Sequence, residues 1–169
     1  PGPGSVIRWK RPNVPGRIRK RTDAMAPSME VILLMAMTLD GKIARTRSEL
    51  VNWTGKKDKQ YFVKITRDAG VGIMGSKTFD TIGVPLPGRK NVIFTRDRSR
   101  KSNGDHLVFT DLPPQKLLAV LAQEGHGEAV LAGGAFVNSL FAAEGLIDEL
   151  VVTICPKVFG DGISLFSEK

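Results

Sequence analysis

The stretch Val71-Gly72-Ile73-Met74-Gly75-Ser76-Lys77-Thr78-Phe79 decides the fold. A short apolar run, typical of a buried strand, leads through a glycine into the first turn of a helix. Residues 128–143 repeat this arrangement, with Gly133 and Gly134 between strand and helix. Strands that alternate with helices predict a mainly parallel sheet covered by helices. Glycine at such a turn lets the backbone approach a ligand, and the helix start favours a phosphate.

The same alternation continues over most of the chain. Strands are predicted at residues 30–37, 71–74, 91–95, 107–109, 128–131 and 148–154. Helices are predicted at residues 56–67, 77–81, 114–123 and 135–143. This order predicts one α/β domain of three layers, α/β/α, with a mostly parallel central sheet. The length of 169 residues suits a single domain of this kind.

The composition is that of an ordinary globular protein, with 41% hydrophobic and 25% charged residues. No apolar run approaches the roughly 18 consecutive residues that a membrane-spanning helix needs. The single cysteine, Cys155, excludes an internal disulfide and a thiolate metal cluster. The two histidines, His106 and His126, have no ligand partner nearby in the sequence. We therefore predict no metal site, no membrane association and a reducing, cytoplasmic environment.

The net charge of +8 belongs mainly to the N-terminal segment. Residues 1–28 contain seven of the 25 Lys and Arg residues but one of the 17 acidic residues, so residues 29–169 are nearly neutral. The segment is rich in Pro, Gly and Arg and has no hydrophobic period, which predicts a disordered basic tail. One interpretation is a nucleic-acid or membrane arm. We favour the other, that the tail is not native to the domain at residues 29–169, and we expect no nucleic-acid partner.

The segment at residues 85–96 carries two arginines with different predicted roles. Two prolines and a glycine make a rigid loop that aims Arg89. A guanidinium group binds a carboxylate or a phosphate through two parallel hydrogen bonds. Arg96 follows Thr95 just past a predicted strand, where it could read the 2′-phosphate of a cofactor and favour NADPH over NADH. Either arginine taken alone is more often a solvated surface charge.

An acidic residue lies on the apolar face of the helix predicted at residues 56–67. Asp58, Tyr61, Phe62 and Ile65 have the spacing i, i+3, i+4 and i+7, so they share one face. A carboxylate in the first turn also interacts well with the helix dipole, which is the structural explanation for it. A surface acid would, however, normally lie opposite the apolar face. The spacing therefore indicates a cleft in which the carboxylate accepts hydrogen bonds from N–H donors, such as the edge of an aminopyrimidine.

Taken in order, the motifs resemble those of the dihydrofolate reductase family and of its relative, the reductase domain of riboflavin biosynthesis. The resemblance covers residues 29–169 and is more specific as an ordered set than any single motif. The matching segments are Trp53-x4-Asp58-x2-Tyr61-Phe62, Met74–Phe79, Pro85–Asn91, Gly133-Gly134, Thr153 and Gly160–Phe166. Ser76 departs from the family pattern, since an arginine is common there.

The resemblance implies an NADPH-dependent oxidoreductase that acts on a pterin or pyrimidine, as a monomer or homodimer. The implied catalytic residues are Trp53, Asp58 and Thr153. The implied substrate-binding residues are Ala36, Phe62 and Arg89. The implied cofactor-binding residues are Ala44, Gly75, Lys77, Thr78, Thr95, Arg96, Gly133 and Gly134.

Two substrates are compatible with the resemblance. The spacing of Trp53, Asp58 and Arg89 favours the reduction of 7,8-dihydrofolate to tetrahydrofolate. The segment Met37–Ala44 is more similar to riboflavin-pathway reductases, which act on 5-amino-6-(5-phosphoribosylamino)uracil. A hypothesis of another class is a non-catalytic module that binds nucleotides or nucleic acid. The nearly neutral charge of residues 29–169 counts against this last hypothesis.

The resemblance also implies two more strands after Phe166. The sequence ends at Lys169, so we expect a domain that is truncated at its C terminus. Without those strands, one edge of the sheet should be exposed, which is a known aggregation liability.

Overall fold

The computed structural model describes residues 4–12 and 29–167. The strands are Ser5–Lys10 (β1), Glu30–Thr38 (β2), Lys42–Ala44 (β3), Val71–Gly75 (β4), Lys90–Phe94 (β5), Leu107–Thr110 (β6), Glu128–Leu131 (β7), Glu149–Cys155 (β8) and Ile163–Ser164 (β9). The helices are Lys56–Ala69 (α1), Ser76–Ile82 (α2), Pro114–Gln123 (α3) and Ala135–Ala143 (α4). Each predicted element is present with nearly the predicted bounds, and β1, β3 and β9 are additional.

Seven strands form one sheet in the order β1-β8-β2-β7-β4-β5-β6. The six strands from β8 to β6 are parallel to their neighbours, and β1 is antiparallel to β8. Strands β3 and β9 form a separate antiparallel pair. Helices α1 and α2 pack on one face of the large sheet, and α3 and α4 pack on the other. This confirms the predicted three-layer fold with a mostly parallel sheet.

The core follows from the alternation of side chains along buried strands. In β2, Val31 and Leu33 pack on the side of α3 and α4, whereas Ile32 and Leu34 pack against α1. All four are buried, because a parallel strand covered by helices on both faces has no solvated side. Complete burial of one such side chain contributes about 1.5–3 kcal/mol to folding. In the part of the chain that the structure describes, no helix has the length and apolar character needed to cross a bilayer.

Strand β1 corrects the prediction of a disordered tail for residues 5–10. Its backbone pairs with β8 from Ser5 opposite Ile154 to Lys10 opposite Glu149. Arg8 donates two hydrogen bonds to the buried carboxylate of Glu149, one of them from Nη2 at 3.1 Å. The edge of β8 is therefore covered, and β1, whose six residues are all exposed, is the edge strand on this side of the sheet. The remainder of the predicted tail, residues 13–28, lies outside the described residues.

The ion pair between β1 and β8 leads to a stability prediction. Arg8→Ala leaves the Glu149 side chain, which is 2% exposed, without its charged donor. Because Arg8 itself is 59% exposed, water replaces part of the lost interaction, and we expect a loss of about 1–2 kcal/mol in the free energy of unfolding. Chemical denaturation measures this loss.

The matched control for this prediction is Lys10→Ala on the same strand. Lys10 pairs with Glu30, and both side chains are more accessible to water, at 65% and 30%. This variant should lose much less stability than Arg8→Ala, because exposed ion pairs contribute little. Equal losses in the two variants would contradict the assigned role of the Arg8–Glu149 pair.

Candidate functional site

The candidate site lies where the C-terminal ends of the parallel strands β2 and β7 are neighbours. These strands are neighbours, and the helices that follow them, α1 and α4, lie on opposite faces of the sheet. In open α/β sheets, ligands bind in the crevice that this reversal creates. Ala36 lies near the end of β2, and the glycine pair 133–134 directly follows β7. The topology therefore brings two of the predicted site segments together.

The turn after β7 presents backbone atoms without side chains, because residues 133 and 134 are both glycine. The Gly75 N–H donates to the Gly133 carbonyl oxygen at 2.9 Å, which joins the end of β4 to the turn after β7. A Cβ atom added at Gly133 would lie 3.0 Å from Met35 Cε and Sδ, and one added at Gly134 would lie 3.2 Å from Thr78 Oγ1. The structure thus brings four predicted cofactor-binding residues into one glycine cluster: Gly75, Thr78, Gly133 and Gly134.

Gly133 also requires glycine for its backbone conformation, because its φ angle is 92°. In Gly133→Ala, a left-handed backbone and the close approach to Met35 both oppose the new methyl group. We expect the free energy of unfolding to fall by about 1–2 kcal/mol or more. Thermal and chemical denaturation provide the measurement. Gly127→Ala is the control, because a Cβ atom there meets nothing within 4 Å; a loss as large as that of Gly133→Ala would refute this explanation.

Asp58 lies in the first turn of α1, half-buried and on the side that faces β2 and β8. Burial, followed by the negative charge of Asp58, raises the pKa of the Cys155 thiol, so the carboxylate is close to the end of β8. Thr153 is on the same face of β8 as Cys155 and pairs with Ala36 of β2. Within the described residues, neither the Asp58 carboxylate nor the Thr153 hydroxyl forms a hydrogen bond. The two side chains therefore form no hydrogen bond with each other.

Trp53 precedes α1 and is half-buried. Its indole ring packs edge-on against Phe159, with ring centroids 5.2 Å apart and an interplanar angle of 78°. The indole Nε1 is buried and has no acceptor among the described residues. A buried N–H without a partner is costly, so this donor suits an acceptor from a ligand or from water.

Arg89 is 6% exposed, which is unusual for an arginine. Its Nε and Nη2 donate to the Pro87 carbonyl oxygen at 3.1 and 3.0 Å, and Nη1 donates to Thr66 Oγ1. Burial, followed by the positive charge of Arg67, lowers the pKa of Arg89, and no carboxylate opposes this effect. A buried guanidinium group without an acidic partner suits an anionic group of a ligand.

Asn91 holds the loop that carries Arg89. Its Oδ1 accepts from the Leu86 N–H at 2.8 Å, and its Nδ2 donates to the carbonyl oxygens of Leu86 and Arg89 at 2.9 and 3.0 Å. The loop is thus fixed at both ends, as the two prolines and the glycine predict.

The other predicted phosphate-binding residues lie outside the glycine cluster. Lys77 and Arg96 are exposed, and Thr95 Oγ1 accepts a hydrogen bond from the Asp97 N–H at 3.1 Å. Ala44 is buried in β3. Arg100 is held by Asp80 through two hydrogen bonds of 2.6 and 2.7 Å. Phe62 is half-buried and packs on the face of the sheet that α1 and α2 cover.

Several residues of this region were not among the predicted site residues. Thr66 follows Phe62 by four residues, so helical spacing would have placed it on the same face of α1. Cys155 is the last residue of β8 and directly follows the strand predicted at residues 148–154. Phe159 reaches Trp53 from more than 100 residues away, and no local pattern indicates that contact.

Residues 30–166 match the model of a family described as dihydrofolate reductase. A dihydrofolate reductase type 3 of Salmonella typhimurium is 29% identical over 106 residues, which cover 63% of this chain and 60% of that protein. Two solved structures, each 22% identical, share the fold. Acinetobacter baumannii RibD has a TM-score of 0.74 over 85% of this chain and 51% of that chain. Enterococcus faecalis dihydrofolate reductase complexed with NADP(H) has a TM-score of 0.65 over 84% of this chain and 79% of that chain.

Proposed function

Because this chain belongs to the dihydrofolate reductase family and is an oxidoreductase, we propose that it catalyses the NADPH-dependent reduction of 7,8-dihydrofolate to tetrahydrofolate. The observation that carries this proposal is the Asp58 carboxylate, which is half-buried on the face of α1 that packs against β2 and β8 and has no hydrogen-bond partner among the described residues. A carboxylate in such a position accepts paired hydrogen bonds from the amino-pyrimidine edge of a pterin.

The other substrate-binding residues of the proposal lie on α1, on β2 and in the loop before β5. Phe62, one helical turn later, offers its ring for the pterin to stack on. Arg89 binds the carboxylate of the glutamate tail, which supplies the anionic partner that its buried guanidinium group lacks. Thr153 supports Asp58 once the substrate is bound. Ala36 contributes a small side chain beside the reacting rings.

The glycine cluster suits the cofactor, because Gly133 and Gly134 stand between the end of β7 and the first turn of α4, where backbone N–H groups favour an anionic ligand. The glycine cluster and Ala44 would hold NADPH along the strand ends. Lys77, Thr95 and Arg96 would meet its phosphate groups. When bound, NADPH supplies the hydride that C6 of the substrate accepts.

Asp58 polarises the substrate ring and does not deliver the proton to N5 itself. That proton comes from a water molecule whose access the segment of Trp53 controls. The buried Nε1 of Trp53, which has no acceptor in the described part of the chain, is suited to hold that water.

A second candidate is the reduction of 5-amino-6-(5-phosphoribosylamino)uracil. The segment Met37–Ala44, which is more similar to riboflavin-pathway reductases, favours it. In that case Arg89 would bind the phosphate of the substrate, since a guanidinium group binds phosphate as well as carboxylate.

The two candidates are separated by NADPH oxidation with each substrate. The purified chain is offered 7,8-dihydrofolate and then the phosphoribosylamino-pyrimidine, each over a range of concentrations. We expect saturable turnover with 7,8-dihydrofolate. Turnover with the second substrate alone would replace the folate assignment, and no turnover with either would reject the proposed function.

A further inference from the structure

We propose that Asp40 is a positioning residue, which holds Phe159 against Trp53 and thereby sets the direction of the Trp53 indole N–H in the site. The inference deepens the proposed function and rests on it in one respect, the placement of Trp53 beside the substrate. Asp40 does not itself belong to the predicted site, and it reaches the indole through one intermediate side chain.

The Asp40 carboxylate binds the tip of the loop after β8. Its Oδ2 accepts from the Gly160 N–H at 2.7 Å and from the Phe159 N–H at 3.1 Å, and its Oδ1 lies 3.2 Å from the same Phe159 nitrogen. Two successive N–H groups thus converge on one carboxylate, a strong arrangement because the acceptor is charged. The hydrogen bond from the Thr38 hydroxyl, followed by those from the Gly160 and Phe159 N–H groups, lowers the pKa of Asp40.

The carboxylate is in turn fixed from its own side. Thr38 Oγ1 donates to Asp40 Oδ1 at 2.6 Å and accepts from the Lys42 N–H at 2.9 Å. Thr38 is fully buried at the end of β2. The rigid end of a central strand therefore determines where Asp40 presents its two oxygens.

Other bonds hold the base of this loop but not its tip. The Leu39 N–H donates to the Lys157 carbonyl oxygen at 2.9 Å, and the Leu165 N–H donates to the Gly41 carbonyl oxygen at 3.2 Å. Within residues 4–12 and 29–167, the backbone N–H groups of residues 159 and 160 donate their hydrogen bonds to the Asp40 carboxylate. Loss of the carboxylate should therefore release the tip and leave the fold intact.

Phe159 transmits this position to Trp53. The two rings pack edge-on at 5.2 Å, and the Arg45 guanidinium carbon lies 3.9 Å from the centroid of the Phe159 ring. The ring is thus held between a cation and the indole. Because the buried Nε1 of Trp53 has no acceptor in the described part of the chain, its direction decides which ligand or water atom it can reach.

The test uses Trp53 as its own reporter. The chain has two tryptophans, so Trp9→Phe leaves Trp53 as the single tryptophan, and its fluorescence is excited selectively over that of Tyr61. In this background we compare the parent, Asp40→Asn, Phe159→Leu, Phe159→Tyr and the control Asp68→Asn. Asp68 is an exposed residue of α1 whose carboxylate pairs with Lys64, so its replacement makes the same charge change far from the loop. Circular dichroism establishes that each variant is folded.

Two readouts distinguish positioning from a general structural effect. Acrylamide quenching of Trp53 should rise about threefold or more in Asp40→Asn and Phe159→Leu, and it should stay at the parent level in Phe159→Tyr and Asp68→Asn. In the NADPH oxidation assay, kcat should fall about tenfold in the first two variants while the Kd for NADPH changes less than about twofold. The aromatic replacement at Phe159 should restore kcat.

Unchanged quenching in a folded Asp40→Asn variant would overturn the proposal. Quenching that changes equally in Asp68→Asn would also overturn it. If Asp40→Asn does not fold, the two Phe159 variants decide: quenching that rises with leucine but not with tyrosine supports the proposal, and any other pattern rejects it. If the parent turns over neither substrate, the proposed function fails, and the quenching results still decide the positional role separately.

Discussion

Asp58→Asn is expected to lower kcat by about 10²–10³-fold. The substitution keeps the size and position of the side chain in the first turn of α1 but removes the charge that polarises the substrate ring. It also replaces one acceptor oxygen with a donor, which cannot accept from the amino-pyrimidine edge. The Kd for NADPH should change less than about threefold, since the proposed cofactor-binding residues lie elsewhere. Steady-state NADPH oxidation and a direct NADPH titration give the two quantities.

The control for Asp58→Asn is Asp68→Asn on the same helix. Asp68 is exposed and pairs with Lys64 one turn earlier, so its loss should affect kcat by less than about twofold. If Asp58→Asn weakened NADPH binding as much as it lowered kcat, the assignment of Asp58 to the substrate would be refuted.

Arg89→Lys is expected to raise the KM for 7,8-dihydrofolate by about 10–100-fold with a much smaller change in kcat. Lysine keeps the positive charge but loses the planar pair of donors that binds a carboxylate in two places. It also cannot reproduce the hydrogen bonds to Pro87 and Thr66 in the same geometry. Initial rates over a range of substrate concentrations separate KM from kcat.

A substrate without the glutamate tail tests whether Arg89 acts through that carboxylate. With 7,8-dihydropterin, Arg89→Lys and the parent should have similar KM values, because no carboxylate is present to bind. Arg67→Lys, which changes the neighbouring exposed cation, should leave both substrates nearly unaffected. An equal rise in KM for both substrates in Arg89→Lys would indicate a distorted loop and contradict the assigned contact.

Local patterns in the sequence were enough to predict how several candidate site residues are arranged. Helical spacing alone predicted that Asp58 shares a face with Phe62, and in the structure this face lies against β2 and β8. The two strand–glycine–helix stretches predicted turns at Gly75 and at Gly133-Gly134. The hydrogen bond from the Gly75 N–H to the Gly133 carbonyl oxygen joins these two turns, because the ends of parallel strands meet at one edge of the sheet. Periodicity and turn chemistry are properties of neighbouring residues, so a single sequence carries them.

Contacts between distant segments were beyond such patterns. The basic residues before residue 12 indicated a tail, yet Arg8 pairs with Glu149, 141 residues later in the chain, and orders β1 along the edge of β8. The hydrophobic period of a single six-residue strand is too weak to predict the strand from the sequence. The pairing of β1 depends instead on the free edge that β8 offers in the folded sheet.

The sequence by itself determined the α/β alternation, the face on which Asp58 lies and the two glycine turns. The tertiary structure alone decided that Arg89 is buried with no acidic partner among the described residues, that Phe159 packs on Trp53, and that Asp40 holds the loop that carries Phe159. The reason is physical: periodicity and turns depend on neighbours along the chain, whereas burial and long-range pairing depend on which segments the folded sheet brings together.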